Sequence, residues 1–257
     1  MVDYTSVTEV TGYNVTREQM QRMHTRYRFA SEFCRSKEVL EVACGSGQGL
    51  GYLAQYAKRV VGGDYDEKLV QLAKEHYKDK IEVKQLDAHK LPFDDKSFDV
   101  VILYEAVYYL ERSEIFVKEA HRVLRNGGVL IICTVNKDWE DFNPSPYSYK
   151  YFSAPELYEL LQDGGFVNVE LYGDCKVSAD TPKDKIISAI KQVAVKLHLM
   201  PKTMKGKEFL KRIFMGKLIP LPPEITEGMA EYIPPSPIGH TASNVEYKVL
   251  FAVGYAK

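Results

Sequence analysis

Val39-Leu40-Glu41-Val42-Ala43-Cys44-Gly45-Ser46-Gly47-Gln48-Gly49 is the stretch whose reading decides the fold. Val39 to Val42 is a short apolar run with one carboxylate inside it, the pattern of a buried strand. A glycine-rich turn follows, and Leu50 to Ala57 continues as a helix. Strand, tight glycine turn and helix, in that order, form the first unit of a nucleotide-binding sheet. The turn needs glycine because a ligand must lie against bare backbone and because its backbone angles are ones that side chains resist. The open N–H groups at the helix start then face the ligand.

Downstream the alternation repeats. Arg59 to Asp64 predicts a second strand ending in a carboxylate, and Asp66 is placed to cap a helix through Leu69, Leu72, Ala73 and His76. Ile81 to Leu86 is a third strand, closed by Asp87-Ala88. A turn-rich link from Leu91 to Ser97 leads into Phe98 to Tyr104, an apolar run that marks a central strand. Ile115 to Leu124 reads as a helix stopped at Asn126-Gly127-Gly128, and Val129 to Val135 as a fifth strand. Ser153 as cap, Pro155 in the first turn and Glu156 three residues after the cap start another helix, which stops at Gly164-Gly165 before a sixth strand, Phe166 to Tyr172. Glu246 to Tyr255 makes a last strand; with no helix between them, it can pair antiparallel with the sixth.

Upstream, Met20, Met23, Tyr27, Ala30 and Cys34 recur at spacings of three and four, so 17–34 reads as a helix. Residues 1–16 show no period and read as an arm or lid. The expected architecture is an α/β fold: a doubly wound, seven-stranded, mostly parallel sheet with an antiparallel C-terminal strand, plus a mainly helical insertion between strands six and seven. Three regions follow: an N-terminal helical cap (1–35), a core (36–175 and 245–257) and a helical lid insertion (176–244).

Composition narrows the classes. At 257 residues and 45% hydrophobic, the chain can build one large domain, or one domain carrying an insertion. A net charge of −1 argues against a nucleic-acid binder. The cysteines Cys34, Cys44, Cys133 and Cys175 form no C-x-x-C pair, so neither a zinc site nor a disulfide framework is expected, and a reducing, cytoplasmic setting fits. The apolar run at Val129 to Val135 is too short to span a bilayer, and the Met-Val-Asp-Tyr start lacks the basic-then-apolar pattern of a signal peptide.

Several ordered motifs together resemble the class I S-adenosylmethionine-dependent methyltransferases. They are Glu41 followed by the glycine run, Asp64 closing strand two, Asp87 after strand three, Leu91-Pro92-Phe93, Ser97-Phe98-Asp99, Leu124-Arg125-Asn126-Gly127-Gly128, and the C-terminal antiparallel strand. The resemblance covers about residues 20–173 and 245–257. Ala43 departs from it, standing where the family usually has glycine.

The resemblance implies S-adenosyl-L-methionine as cofactor and methyl transfer as activity. Gly45 and Gly47, with Ala43, would let backbone approach the methionine part of the cofactor, and Glu41 would lie near its amino-acid end. A carboxylate at Asp64 can accept both ribose hydroxyls. Tyr65 would stack on the adenine ring. Asp87 and the Ala88 N–H would meet the adenine edge. Tyr104 and Tyr109 would border the cofactor or acceptor, where aromatic faces suit a sulfonium cation. Arg26 or Tyr27, on an entry helix, would meet the cofactor carboxylate.

Methyl transfer from a sulfonium is an in-line displacement, so the protein mainly positions the acceptor and excludes water. A hydroxyl or ammonium acceptor would also need a base, for which Glu105, His24 and His240 are the candidates. The acceptor is expected to be a small molecule or a lipid-linked group. Between 183 and 217 stand ten basic residues against Asp184 and Glu208, with Ile186, Ile190, Leu197, Phe209 and Ile213 interleaved. That pattern suits either a helical lid with a solvated basic face or a contact with an anionic membrane or acceptor. Two other readings compete: a nicotinamide-dependent oxidoreductase, which would want glycine where Leu50 stands, and a cofactor-binding regulator without catalysis.

Overall fold

The structure is a computed structural model that describes residues 8–177 and 218–257. Its elements are β1 (Asn14–Val15), α1 (Arg17–Cys34), β2 (Glu38–Val42), α2 (Leu50–Ala54), β3 (Arg59–Asp64), α3 (Glu67–Tyr77), β4 (Glu82–Gln85), β5 (Phe98–Tyr104), α4 (Ser113–Val123), β6 (Leu124–Val135), α5 (Ala154–Asp163), β7 (Val167–Lys176), β8 (Ile219–Pro220), β9 (Ser236–Ile238) and β10 (Tyr247–Tyr255). The main sheet runs β4-β3-β2-β5-β6-β10-β7-β9. β2 pairs in parallel with both β3 and β5, and β5 with β6. β10 runs antiparallel between β6 and β7, in keeping with the antiparallel pairing expected of the last strand with the sixth.

Alternation along the strands separates two cores. Val39, Val60, Val100, Ile102, Ile131 and Phe251 face one side, where Met20, Phe29 and Ala30 of α1 and Val70 and Ala73 of α3 cover them. Leu40, Val61, Val101, Leu103, Ile132 and Leu250 face the other, under Phe116, Val117 and Ala120 of α4 and Leu157 and Leu161 of α5. Each fully buried Leu, Ile or Phe contributes about 1.5–3 kcal/mol, so covering both faces is what fixes the strand order. Local signals agree with the long-range ones. Thr16 and Gln19 close a capping box on α1, and Ser153 and Glu156 close one on α5. The Asp66 side chain accepts from the Lys68 amide at the start of α3.

Several elements differ from the sequence expectation. The sheet has an eighth strand, β9, paired antiparallel with β7 at the edge. β8 pairs with β1, tying the N-terminal arm to the stretch expected as a lid. In that same stretch Leu221 and Ile225 are buried in the core beside α1. α2 is shorter than expected, ending at Ala54. β6 starts at Leu124, directly after α4, because Leu124 already has extended backbone angles and pairs with Phe98. Gly127, expected as a helix stop, lies inside β6 at φ +74° and donates its N–H to the Ala256 carbonyl. The helices expected at 183–199 and 206–216 fall outside the described residues.

Candidate active site

The C-terminal ends of β2, β3, β4 and β5 open on one cavity of about 670 Å³. Two of those strands end in residues with left-handed backbone, Ala43 at φ +57° and Glu105 at φ +51°. Such angles cost a side-chain-bearing residue free energy and concentrate at functional sites. Between them runs the glycine turn. Gly45, at φ +60°, donates its N–H to Oδ2 of Asp64 at 2.9 Å, and Oδ1 of Asp64 accepts the Asp66 amide at 2.9 Å. Burial pushes the Asp64 carboxyl up, and these amides act against it.

Behind the turn, Glu41 is almost fully buried and accepts the Tyr27 hydroxyl at 2.7 Å on Oε1. Among the described residues its Oε2 has no partner, nor has Ser46 Oγ. Burial pushes the Glu41 carboxyl up to about 8, although the Tyr27 hydrogen bond opposes the shift. The Tyr27 ring also presses on Gly49: a Cβ there would lie 1.8 Å from Cε1. Tyr77 of α3 braces the turn from outside. Its hydroxyl donates to the Gly47 carbonyl at 2.7 Å and accepts the Gly51 amide at 3.0 Å.

The expected site residues divide into two groups. Arg26, Ala43, Gly45, Asp64, Tyr65, Asp87, Ala88, Tyr104, Glu105 and Tyr109 line the cavity together. Tyr27, Glu41 and Gly47 are not among the lining residues. Gly47 faces α3, where an added Cβ would meet the Tyr77 ring at 3.0 Å and Ala73 at 3.1 Å, so its glycine serves packing as well as its φ of +84°. Among the proposed bases, His240 lies flat on the Tyr158 ring, centroids 3.8 Å apart, and is not among the lining residues. His24 is buried with neither ring nitrogen partnered among the described residues, burial pushes its pKa down, and it too is not among the lining residues.

Glu105 does line the cavity, but both of its oxygens are taken. Oε1 faces Arg26 Nη2 at 3.1 Å and Arg22 Nη2 at 3.6 Å, and Oε2 accepts the Tyr108 hydroxyl at 3.1 Å. The geometry is that of a clamp holding α1 against the end of β5. Burial works most strongly against the Arg26 charge, but Glu105 together with Cys133, Glu9 and Tyr27 outweighs it, and the guanidinium stays protonated.

The wall that follows β5 is aromatic. Tyr108 stacks on Tyr151 with centroids 4.4 Å apart, and Tyr109 meets Tyr108 edge-on at 4.5 Å. Ser145 ties them together: its Oγ accepts the Tyr109 hydroxyl and its N–H donates to the Tyr151 hydroxyl, both at 3.0 Å. Burial lifts the Tyr108 phenol well above its ordinary range and that of Tyr109 to about 12, so both stay neutral. Sequence reading did not single out Arg22, Gln48, Tyr77, Ser145 or Tyr151 as site residues. Arg22, one helical turn before Arg26, and Gln48, inside the glycine run, carried some signal. The hydroxyl of Tyr77 and the packing of Tyr151 carried none.

These features define an α/β protein that binds a nucleotide-like cofactor at the strand ends. Residues 40–132 match the family model described as a methyltransferase domain. The chain is 34% identical over 157 residues to a Mycobacterium tuberculosis protein named a probable S-adenosylmethionine-dependent methyltransferase, covering 60% of this chain and 57% of that one. It is 39% identical over 95 residues to the phthiotriol/phenolphthiotriol dimycocerosates methyltransferase of the same organism, covering 36% of this chain and 35% of that one. Thus the chain spans less than two-thirds of the length of these curated relatives. Among solved structures, an S-adenosylmethionine-dependent methyltransferase from Thermotoga maritima superposes with a TM-score of 0.60 over 93% of this chain and 94% of that one, at 17% identity, a likeness of fold. Residues 40–132 thus match a methyltransferase domain, and the chain shares the fold of a solved S-adenosylmethionine-dependent methyltransferase.

The residues present fit that cofactor. An added Cβ on Gly45 would find only Thr8 Cγ2 at 3.5 Å and Gln48 Oε1 at 3.9 Å, so the space over the bare turn is open. The unpartnered Glu41 Oε2 and Ser46 Oγ are buried hydrogen-bonding groups left for a ligand or its water. Asp64 and Asp87 supply carboxylates along the same cavity.

Proposed function

We propose that the protein transfers the methyl group of S-adenosylmethionine to a small apolar or lipid-like acceptor. One observation carries this reading: a single cavity is lined by the glycine turn and acidic strand ends and also by Tyr108, Tyr109, Tyr149 and Tyr151. The first set suits an adenosyl group with hydroxyls and a charged amino-acid end. The second is apolar in its faces, with the Tyr108 and Tyr109 hydroxyls engaged within the protein, so it favours an acceptor recognised by shape and apolar area. A phthiotriol methyltransferase among the relatives adds support for a lipid-like acceptor.

When bound, S-adenosylmethionine would supply an electrophilic methyl carbon whose leaving group is a neutral thioether. Asp64 holds the ribose end through whichever lone pairs its two amide bonds leave free. Arg26, anchored on Glu105, supplies positive charge for a carboxylate at the α1 wall. Tyr104, whose hydroxyl donates to the Arg26 carbonyl at 2.9 Å, fixes that wall against β5. The tyrosine wall orients the acceptor and keeps water from the reacting carbon. Glu105 acts as the ionic clamp in this reading; the acceptor's lone pair would form the new bond to the methyl carbon as the carbon–sulfur bond breaks, and the proton of a hydroxyl acceptor would pass to solvent.

The test is turnover of the full chain with S-adenosylmethionine against two panels, polar metabolites and solvent-extracted lipids, read as S-adenosylhomocysteine formed. Formation with the lipid panel alone is expected. Turnover confined to polar metabolites would overturn the acceptor class, and no binding of S-adenosylmethionine by calorimetry would overturn the activity. Residues 183–217 lie outside the described residues; their charge makes an anionic membrane surface the proposed contact, which vesicle pelleting checks.

A further inference from the structure

Where adenine is expected, the loop after β4 carries a histidine that the proposed activity does not use. His89 lines the cavity with Leu86, Asp87 and Ala88. Its backbone N–H donates to Asp87 Oδ1 at 2.8 Å, and its ring Nδ1 meets the same oxygen at 2.7 Å. On the far side of the ring, Nε2 accepts the Arg112 amide at 3.4 Å. An amide donor at Nε2 leaves the proton on Nδ1, so the hydrogen-bond pattern assigns one neutral tautomer that donates to Asp87. Both bonds fall on Oδ1. Among the described residues nothing bonds Oδ2.

The backbone beneath this pair is fixed separately. The Lys90 amide closes a turn on the Asp87 carbonyl at 3.0 Å. The Leu91 amide donates to Glu119 Oε2 at 2.8 Å, and Arg122 Nη2 donates to the Leu91 carbonyl at 3.0 Å. So α4 holds the loop, and His89 holds the carboxylate. The Asp87 side chain is half exposed, and without a second anchor it would sample several rotamers with either oxygen towards the ligand.

We infer that His89 is a positioning residue for base recognition: it pins Oδ1 of Asp87 so that Oδ2 alone is presented, as an acceptor, to the exocyclic amino group of adenine. The inference rests on the reading that this loop receives the adenine edge. A carboxylate oxygen held as a pure acceptor attracts an amino group and repels the carbonyl oxygen of hypoxanthine at the same place. The part of the discrimination between the two bases that is lost on altering Asp87 or His89 therefore reports the pinned carboxylate. General damage to the loop would weaken both ligands together.

The experiment is calorimetry on the full chain with S-adenosylhomocysteine and S-inosylhomocysteine, which differ in the C6 substituent and in the proton that hypoxanthine carries on N1; the N1 change is common to all variants, so the change in preference between variants is what is read. The unaltered protein should prefer the adenine ligand by about tenfold or more, the range of a hydrogen bond to a charged group. His89→Ala should lose most of that preference, through about five- to tenfold weaker binding of S-adenosylhomocysteine, with S-inosylhomocysteine within about twofold of the unaltered protein. His89→Asn, which keeps a donor, should restore part of the preference. Asp87→Asn should abolish or invert it.

If Asp87→Asn abolishes the preference and His89→Ala preserves it, the role of His89 is overturned and the adenine reading stands. If neither variant changes the preference, the adenine reading itself is overturned. If His89→Ala weakens both ligands equally, the residue only packs the loop, and the inference fails.

Discussion

Glu41 keeps its proton because its carboxyl is buried behind the glycine turn. Its carboxyl, raised to about 8 by burial, compares with an ordinary value of about 4.3. Between those values the folded state holds a proton that the unfolded state has released, so stability falls as pH rises from about 4.5 to about 8. Glu41→Gln removes that titration. The variant should gain on the unaltered protein by on the order of 2 kcal/mol between pH 5 and pH 8, read by urea denaturation at both values. Glu105 calls for the opposite kind of test. As a clamp between two guanidiniums, its replacement in Glu105→Gln should cost about 1–3 kcal/mol of stability. A lost general base would cost about 10²–10⁴ in rate; a lost clamp should lower kcat by less than about tenfold and leave its pH profile in place. The acidic and glycine positions of this site were legible in the sequence because each ends a strand whose apolar run is visible. The partners of Glu105 were not, because Arg26 is 79 residues away and only packing of α1 on β5 brings it near.

At the scale of elements, the glycine turn is shaped by helices as much as by its own glycines. Tyr77 at the end of α3 reaches across to hydrogen-bond the turn at Gly47 and the start of α2 at Gly51. Removing the hydroxyl in Tyr77→Phe strands a buried carbonyl and an amide, at a cost of about 1–3 kcal/mol. The looser turn should weaken S-adenosylmethionine binding about three- to tenfold, seen as a raised KM with kcat little changed. The last strand was legible from its own apolar run, and the alternation of strand and helix and the caps of α3 and α5 could be read before any coordinates, since each rests on spacing within a dozen residues. β9 could not: it is three residues long, contains Pro237 and exists only because β7 offers an open edge. Nor could the Tyr108–Tyr151 stack, since nothing local to either tyrosine specifies its partner.

Across the whole molecule, two segments distant in sequence converge on Gln48. Its side-chain amide donates to the Glu9 carbonyl at 2.8 Å, and its own carbonyl accepts the Ile225 amide at 2.8 Å. The arm and the returning chain are joined again by the β1–β8 pair, by Gly12 donating to the Leu221 carbonyl and by Leu221 donating to the Tyr13 carbonyl, each at 2.8 Å. Thr8 and Glu9 line the cavity, so the arm is a wall of the site. A ligand that contacts this wall stabilises the closed arrangement by RT ln(1 + [L]/Kd), about 2.7 kcal/mol at a hundred times Kd. Arm and returning chain share hydrogen bonds, so they should gain protection as one unit. Hydrogen exchange at the Gly12, Leu221 and Ile225 amides should slow together on adding S-adenosylhomocysteine. Gln48→Ala cuts the side-chain link to Glu9 and leaves the backbone link to Ile225. In that variant the ligand should still protect Ile225, while protection at Gly12 drops by about tenfold, the effect of one lost hydrogen bond. Equal protection of Gly12 in both proteins would mean that the β1–β8 pair alone holds the arm and that Gln48 transmits nothing to it.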